Sequence, residues 1–226
     1  ISVYFGGQEL FNQVSFMINK GDRIGLVGKN GAGKSTLMSI LYGFYKADSG
    51  IIKIQGKKAL IVDSQTAIDH GIGMVFQHFK LVENFTVLEN IILGSEGGNL
   101  IGPSMASARA ELARLAKDYE LNVHPDSVID SISVGMQQRV EILKALYRKA
   151  EILILDEPTG VLTPAEAEHL FRILRNLKAE GKTIILITHK LREIMNATDT
   201  VSVMRQGEMT STIKTNNTSP EQLAEL

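Results

Sequence analysis

Short apolar runs alternate with longer amphipathic stretches along most of this chain of 226 residues. Runs of strand length lie at 23–27, 51–54, 72–76, 151–155 and 183–188. Stretches with apolar residues at helical spacing lie at 34–42, 64–70, 136–148, 164–180 and 190–197. Strands that alternate with helices favour a mostly parallel sheet with helices on both of its faces. The pattern therefore predicts an α/β fold.

Shorter β elements are predicted near the two ends of the chain. Residues 2–5 and 14–18 alternate between apolar and polar positions, which predicts strands in an N-terminal antiparallel β part. Residues 200–205 and 208–213 flank Gln206-Gly207 and predict a hairpin.

The middle of the chain has a different pattern. Strand signals fade there, and 87–93 and 104–119 have apolar residues at helical spacing. Residues 95–103 contain three glycines and predict a mobile loop. We interpret this region as a helical lobe inserted into the α/β core of a single unit. The predicted bounds are 1–77 and 136–226 for the core and 78–135 for the lobe.

Composition limits the classes of function that this chain could have. The formal net charge of −1 gives no electrostatic reason to expect nucleic acid as a partner. The absence of cysteine excludes disulfides, thiolate metal ligands and a cysteine nucleophile. Apolar runs such as 152–155 are far shorter than the roughly 20 residues of a membrane-spanning helix, and no signal-peptide pattern opens the chain. Because Ile1 is not methionine and 220–226 stops inside a helical pattern, we expect a fragment of a longer protein.

A glycine-rich segment directly follows the apolar run 23–27 and precedes a predicted helix. Residues 28–35, Gly-Lys-Asn-Gly-Ala-Gly-Lys-Ser, fit the phosphate-binding pattern G-x-x-x-x-G-K-[ST]. Its glycines let the backbone curl so that N–H groups point at phosphate oxygens, and the helix N-terminus adds partial positive charge. Lys34 would reach the β- and γ-phosphates, and Ser35 would ligate Mg²⁺. The predicted nucleotide-binding residues are Gly28, Lys29, Asn30, Gly31, Ala32, Gly33, Lys34, Ser35 and Thr36.

A second candidate site is the apolar run 152–155, which ends in two carboxylates. Asp156 could hold Mg²⁺ through water beside the phosphate loop. Glu157 could align and partly deprotonate a water that attacks the γ-phosphate. A strand that merely ends in solvated acids is the alternative, and the phosphate loop elsewhere in the chain makes it the weaker one. GTPases would also need an N-K-x-D motif, which the sequence lacks.

The segment between these two sites resembles a family signature. Residues 132–139, Ile-Ser-Val-Gly-Met-Gln-Gln-Arg, resemble the L-S-G-G-Q-Q-x-R signature of the ATP-binding cassette (ABC) family. Gln77 is similar to the glutamine of that family's Q-loop, and His189 is similar to its switch histidine. The motifs occur in the family's order over essentially the whole chain. The resemblance implies a P-loop NTPase core.

The resemblance also implies a second cassette. Two cassettes of the family dimerise head to tail, so Ser133 and the backbone N–H of Gly135 would contact the γ-phosphate of the opposite site. Phe5 lies where the family places an aromatic that stacks on adenine, with Tyr4 as the alternative.

The remaining implied roles concern metal and catalysis. Gln77 would sense the metal and the attacking water, and would link the site to the helical lobe. His189 would donate a hydrogen bond to the γ-phosphate. The implied cofactors are ATP and Mg²⁺. The implied metal residues are Ser35, Gln77 and Asp156, and the implied catalytic residues are Glu157, His189 and Gln77.

Three positions depart from the usual family pattern. Val134 and Met136 replace the first glycine and a glutamine of the signature, and Thr163 stands where many members have aspartate. These departures resemble the first cassette of the tandem sugar and nucleoside importers. The segments 71–79, 88–94 and 140–147 resemble the nucleoside branch of that group most. In that group the two composite sites are often unequal.

Several functions stay open at this point. The leading one is an ATP-hydrolysing subunit that powers a membrane importer for nucleosides or a related sugar-containing solute. Its partners would be a second cassette, as a tandem half or a homodimer, and transmembrane permease subunits. A groove between the Gln77 loop and the lobe would dock the permease at the cytoplasmic face of the membrane.

The alternative comes from the opening of the chain. Residues 3–36 resemble the soluble translation-associated cassettes, which would indicate an ATPase acting on the ribosome. The neutral net charge, the absence of a long basic linker and the helical insert favour the importer. An inert spliced or designed cassette is the third possibility.

Overall fold

A computed structural model describes residues 3–5, 8–11, 14–15, 17–94 and 105–225, with the side chains of 3–5 and 8–10 not described. The strands are β1 (Val3–Phe5), β2 (Gln8–Phe11), β3 (Arg23–Val27), β4 (Ile52–Ile54), β5 (Lys57–Ala59), β6 (Ile72–Val75), β7 (Ile152–Asp156), β8 (Thr183–Ile187), β9 (Thr200–Arg205) and β10 (Glu208–Lys214). The helices are α1 (Lys34–Leu41), α2 (Ser64–Asp69), α3 (Val87–Ile92), α4 (Met105–Asp118), α5 (Val134–Tyr147), α6 (Pro164–Ala179), α7 (Leu191–Ala197) and α8 (Pro220–Glu225). Within these ranges no helix combines the length and the apolar character needed to cross a bilayer.

Six strands form the central sheet in the order β10-β9-β3-β8-β7-β6. Neighbouring strands from β9 to β6 run parallel, and only β10 is antiparallel to its neighbour. Side chains of β6 and β8 are buried along the whole strand, as expected where helices cover both faces of a parallel sheet. The predicted α/β fold with a mostly parallel sheet is confirmed, and so is the hairpin around Gln206-Gly207.

Two details of the predicted β elements are wrong. The described residues of 14–18 form no strand, and β2 lies at Gln8–Phe11 instead, antiparallel to β1. Val14 is buried in a hydrophobic cluster with Leu37 and Met38 of α1, so its apolar position reflects packing of a loop and not strand pairing.

The second error concerns β5, a strand that the sequence analysis does not predict. Gln55 and Gly56 both have positive φ, 52° and 77°, and they join β4 to β5 as a two-residue hairpin loop. Positive φ at both loop positions is the geometry that matches the twist of antiparallel strands. The predicted mobile loop at 95–103 lies outside the described residues.

The helical region packs on the core through α5. Helices α3 and α4 both contact α5, and α5 also contacts β6. Apolar residues of α3 and α4 belong to the same hydrophobic cluster as residues of β7 and β8. Since α5 begins at Val134, the predicted boundary between 135 and 136 falls in its first turn. The predicted division into core and lobe would therefore run through this helix.

Asp199 ties three elements together at the amino-terminal edge of the sheet. Its carboxylate accepts hydrogen bonds from the backbone N–H and the guanidinium of Arg23, at 3.0 Å each. It also accepts one from Lys178 Nζ at 2.7 Å. Partial burial acts to raise the pKa of Asp199, but the hydrogen bonds from Arg23 and Lys178 outweigh it and lower the pKa to about 2. The ionised carboxylate therefore stabilises the folded chain.

We expect Asp199→Asn to lower the free energy of unfolding by about 1–2 kcal/mol at pH 7, a value reduced for the partial exposure of the side chain. Because the pKa falls on folding, this contribution is present above the reference value of 3.8 and is lost as pH falls toward 2. Urea unfolding at several pH values measures the difference between the variant and the wild type. Asp126→Asn, at an exposed pair with Arg109, is the control and should change little. A difference that stays constant below pH 4 would contradict the assignment.

Candidate functional site

Three loops meet at the carboxyl edge of the sheet. Strand β8 lies between β3 and β7 and is parallel to both. Residue Ile187 of β8 is paired with Leu26 of β3 on one side and with Asp156 of β7 on the other. The phosphate loop, Glu157 and His189 therefore follow the ends of three adjacent strands. This topology brings together segments that are more than 120 residues apart in the sequence.

Two glycines of the phosphate loop lie where a side chain has no space. A Cβ on Gly28 would lie 2.1 Å from the backbone oxygen of Met204, and a Cβ on Gly33 would lie 2.3 Å from Cε1 of Phe11. Gly33 also has φ of 96°, in the left-handed region that glycine favours. Close contact with β9 and β2 thus fixes the curl of the loop.

Lys34 is buried inside this curl. Its Nζ donates hydrogen bonds to the backbone oxygens of Gly28 at 2.7 Å and Lys29 at 3.1 Å. Burial lowers the pKa of Lys34, while the carboxylates of Glu157 and Asp156 act to raise it. The ammonium group therefore lies between the loop and the acid pair.

Helix α1 begins with unpaired backbone donors. Gly33 at its N-cap offers no side-chain acceptor. Within the described part of the chain, the N–H groups of Lys34, Ser35 and Thr36 have no acceptor outside the helix. Free N–H groups at the first turn of a helix, with the partial positive charge there, form an anion-binding site. The cradle thus fits a phosphate group, as the sequence predicts.

Ser35 and Asp156 join the phosphate loop to the acid pair. Ser35 Oγ donates a hydrogen bond to Asp156 Oδ1 at 3.1 Å. Burial raises the pKa of Asp156, opposed by the hydrogen bond from Ser35. A hydroxyl oxygen and a carboxylate oxygen this close together are the kind of ligands that Mg²⁺ prefers. The residues present therefore fit a magnesium ion.

Glu157 has a strained backbone and a partly enclosed side chain. Its φ is 47°, and its N–H donates to the backbone oxygen of Ile187 at 2.9 Å. The side chain is 13% exposed, and its Oε2 accepts a hydrogen bond from Thr188 Oγ1 at 3.3 Å. A non-glycine residue in the left-handed region persists only where its surroundings hold it, and such residues concentrate at functional sites.

His189 contacts Glu157 directly. The distance between Nδ1 of His189 and Oε1 of Glu157 is 2.9 Å, and the imidazole is half exposed. An ionised carboxylate only accepts, so Nδ1 carries the proton in this contact. A hydrogen bond from Nε2 to a phosphate would then require the doubly protonated ring. The pattern of residue types in the sequence predicts neither this pairing nor the contact with Thr188, although both follow from adjacent parallel strands.

The segment after Glu157 is anchored from two sides. Gln138 of α5 is buried and donates from Nε2 to the backbone oxygen of Pro158 at 2.6 Å. Thr159 is also buried and donates from Oγ1 to Glu193 Oε2 of α7 at 2.5 Å. Sequence reasoning missed these residues because their partners lie 20 and 34 positions away.

Two other predicted site residues have no described contact with this cluster. Gln77 is exposed just after β6, and among the described residues it has no hydrogen bond to the site. Phe5 belongs to β1, but its side chain is not described.

The signature residues begin α5. Ser133 is exposed at the N-cap, where its Oγ accepts from the N–H of Met136 at 3.3 Å. Gly135 is buried against Glu166, and a Cβ there would lie 2.3 Å from Glu166 Oε1. Thr163, which replaces the usual aspartate, forms a capping box with Glu166 at the start of α6. The signature is therefore packed against the start of α6.

Comparisons with known proteins agree with this geometry. The family model described as ABC transporter matches residues 11–160. The nucleoside import ATP-binding protein NupA of Lactococcus lactis subsp. cremoris (strain MG1363) is 49% identical over 98% of this chain and 44% of its own length. The chain thus spans less than half the length of this curated relative.

Solved structures show the same fold. The ADP conformation of MJ1267, an ATP-binding cassette of an ABC transporter, has a TM-score of 0.84 at 27% identity and covers 100% of this chain and 91% of that chain. The dimeric structure of MJ0796, a bacterial ABC transporter cassette, has a TM-score of 0.81 at 27% identity over 95% of each chain.

We expect Gly33→Ala to lower the free energy of unfolding by about 1–3 kcal/mol, because the new methyl group meets Phe11 and φ is positive. Gly31→Ala is the matched control, since Gly31 also has positive φ but has nothing within 4 Å of its Cβ position. Gly31→Ala should lower the free energy of unfolding by only about 1 kcal/mol. Urea unfolding of the two variants measures both values. Equal losses would show that the contact with Phe11 is not the cause.

Proposed function

This chain belongs to the ABC transporter family, and we propose that it binds and hydrolyses ATP to power the import of a nucleoside or a related sugar-containing solute. The observation that carries the proposal is the hydrogen bond of Ser35 to Asp156, with Glu157 next in sequence. It joins a phosphate cradle to a carboxylate pair. NupA is named as a nucleoside import ATP-binding protein, which supports the choice of cargo. Because that match covers 98% of this chain, it favours import over a role on the ribosome.

ATP binding is assigned to the loop 28–33 and the start of α1. The N–H groups of Lys34, Ser35 and Thr36 would donate to phosphate oxygens, and Lys34 Nζ would exchange its loop carbonyls for the β- and γ-phosphates. The adenine would stack on Phe5 or Tyr4.

Ser35 and Asp156 would hold Mg²⁺, with Gln77 completing the set. A bound Mg²⁺ would neutralise charge on the β- and γ-phosphates. Around it, Ser35 and Asp156 keep the phosphate loop aligned with the end of β7. The buried Lys34 supplies a second positive charge on the same side of the site.

Glu157 would accept the proton of the attacking water. Its carboxylate is held by Thr188 through one oxygen and by His189 through the other. These contacts fix its orientation before the reaction, which lowers the cost of reorganisation. His189 would move from this contact or gain a second proton to reach the γ-phosphate.

A second cassette would complete the site. Ser133 is the N-cap of α5 and Gly135 lies in its first turn, where backbone N–H groups have no acceptor within the helix. The dimeric MJ0796 structure, which has the same fold, supports a paired arrangement. The flanking Val134 and Met136 are exposed apolar residues, so this dimer seam would be less polar than the usual signature.

A groove beside α5 is the proposed docking surface for the permease. Its cavity of about 290 Å³ lies between β6, α2, α5 and the segment that follows α1. Three aromatic rings, those of Tyr42, Phe44 and Phe76, form a cluster with centroids 5.3–5.8 Å apart. Phe44 is half exposed in this cluster, which favours an apolar side chain of the partner.

The charged residues that line the groove indicate which charged group the partner would carry. Glu141 is buried and accepts a hydrogen bond from the backbone N–H of Lys80 at 2.6 Å. The Lys80 and Arg148 side chains also line the groove. We therefore assign the groove to a short permease helix with an apolar side chain and a carboxylate, at the cytoplasmic face of the membrane.

We expect Glu157→Gln to lower kcat for ATP hydrolysis by at least about 100-fold, because the amide cannot accept the proton of water. ATP affinity should stay within about threefold, since the cradle is unchanged. Phosphate release and equilibrium binding of ATP measure the two effects.

Glu151→Gln is the control for this variant. Glu151 precedes the same strand that Glu157 follows, and it forms an ion pair with Lys182 at the opposite end. It should leave kcat unchanged. Comparable hydrolysis by Glu157→Gln and wild type would remove Glu157 from the catalytic role.

We expect Phe44→Ala to reduce permease-stimulated ATP hydrolysis by about 10-fold or more and to leave hydrolysis without permease unchanged. The ring contributes to the groove and not to the nucleotide site. Tyr45→Ala is the control, because Tyr45 is similarly exposed but does not line the groove. ATP hydrolysis in proteoliposomes, measured with and without permease, compares the two variants with the wild type. Equal stimulation of Phe44→Ala and wild type would place docking elsewhere.

A further inference from the structure

Thr159 lies at the centre of a hydrogen-bonded cluster beside the candidate site. Its Oγ1 donates to Glu193 Oε2 at 2.5 Å. Lys190 Nζ donates to the backbone oxygen of Thr159 at 3.1 Å and to its Oγ1 at 3.3 Å. Lys190 Nζ also pairs with Glu193 Oε1 at 3.3 Å. We call these three residues the anchor triad.

Two hydrogen bonds through Thr188 connect the anchor triad to Glu157, the proposed general base. The backbone N–H of Lys190 donates to Thr188 Oγ1 at 3.1 Å, and Thr188 Oγ1 donates to Glu157 Oε2 at 3.3 Å. Glu157 is two residues before Thr159 along the chain. His189 lies between Thr188 and Lys190 in the sequence, so both of its neighbours take part in these contacts.

Burial makes these contacts difficult to lose. Thr159 is 2% exposed, and the Glu193 side chain is 18% exposed. A buried hydroxyl or carboxylate without its partner retains the cost of leaving water, so the cluster favours one arrangement. The left-handed conformation of Glu157 needs such a constraint from its surroundings.

We propose that the anchor triad positions Glu157 and His189 relative to each other for ATP hydrolysis, which makes Thr159, Lys190 and Glu193 positioning residues. The proposal rests on the proposed ATPase function. None of the three takes part in the phosphate cradle, so their loss should affect turnover and not the binding of ATP. A misplacement of the general base by about 1 Å is enough to lower turnover by up to about 100-fold.

A purely structural role is the competing explanation. Glu193 belongs to the first turn of α7, so the triad could simply hold this helix on the core. Loss of stability alone would lower the fraction of folded protein but would not change kcat per folded molecule. Rescue by a residue that keeps the hydroxyl separates the two explanations.

The test compares Thr159→Val with Thr159→Ser in the full protein that carries this chain. Valine keeps the size of threonine but removes the hydroxyl, and we expect kcat to fall by about 10- to 100-fold with KM for ATP within about twofold. Serine keeps the hydroxyl and should retain most of the wild-type kcat. Glu193→Gln, which keeps an acceptor for Thr159, should likewise exceed Glu193→Ala in kcat.

Thr198→Val is the matched structural control. Thr198 is 6% exposed, and its Oγ1 donates to the backbone oxygen of Ile194 at 2.9 Å, away from the site. This variant loses a buried hydroxyl in the same way, so it should lose stability without losing kcat. Chemical unfolding of each variant confirms that folded protein is compared.

The outcomes separate the two proposals. A wild-type protein that hydrolyses no ATP, with or without permease, refutes the proposed function itself. An active wild type with unchanged kcat in folded Thr159→Val refutes the positioning role alone. Equal loss of kcat in Thr159→Val and Thr198→Val also refutes it, because the effect would then be general.

Discussion

The parallel pairing of β8 with both β3 and β7 is the constraint on which the candidate site depends. Ile187 faces Leu26 on one side and Asp156 on the other, so the residues after each strand emerge next to one another. A shift of this register by one residue would turn the side chains of a strand to the opposite face. The side chains of β8 are buried on both faces, so each one must fit the close packing around it, and this packing holds the register. Packing of the core thus fixes the geometry of the chemistry.

Helix α5 extends this constraint into the helical region. It packs against α3, α4 and β6, and it carries the signature residues at its start. The buried bond from Gln138 to Pro158 joins it to the segment that follows Glu157. Any movement of this helix relative to the core must therefore change a contact adjacent to the acid pair. One rigid element connects the groove, the signature and the candidate base.

Local patterns in the sequence predicted the features that depend on local physics. The phosphate loop, the acid pair and the alternation of strands and helices follow from glycine spacing and hydrophobic period, and the structure confirms the alternation. Strand pairing in the N-terminal part was missed, because the apolar Val14 fills a core position from a loop. The contacts Gln138–Pro158 and Thr159–Glu193 could not be predicted, since they depend on strand order and not on neighbours in sequence.

The left-handed backbone at Glu157 has an evolutionary consequence. A side chain in this conformation destabilises the fold by about 1–2 kcal/mol relative to glycine, the residue that selection for stability alone would favour there. A lineage that no longer needed turnover at this site would therefore be expected to drift toward glycine or asparagine at position 157. A carboxylate at position 157 would thus be a mark of a cassette that turns nucleotide over, and its loss a mark of one that only binds nucleotide.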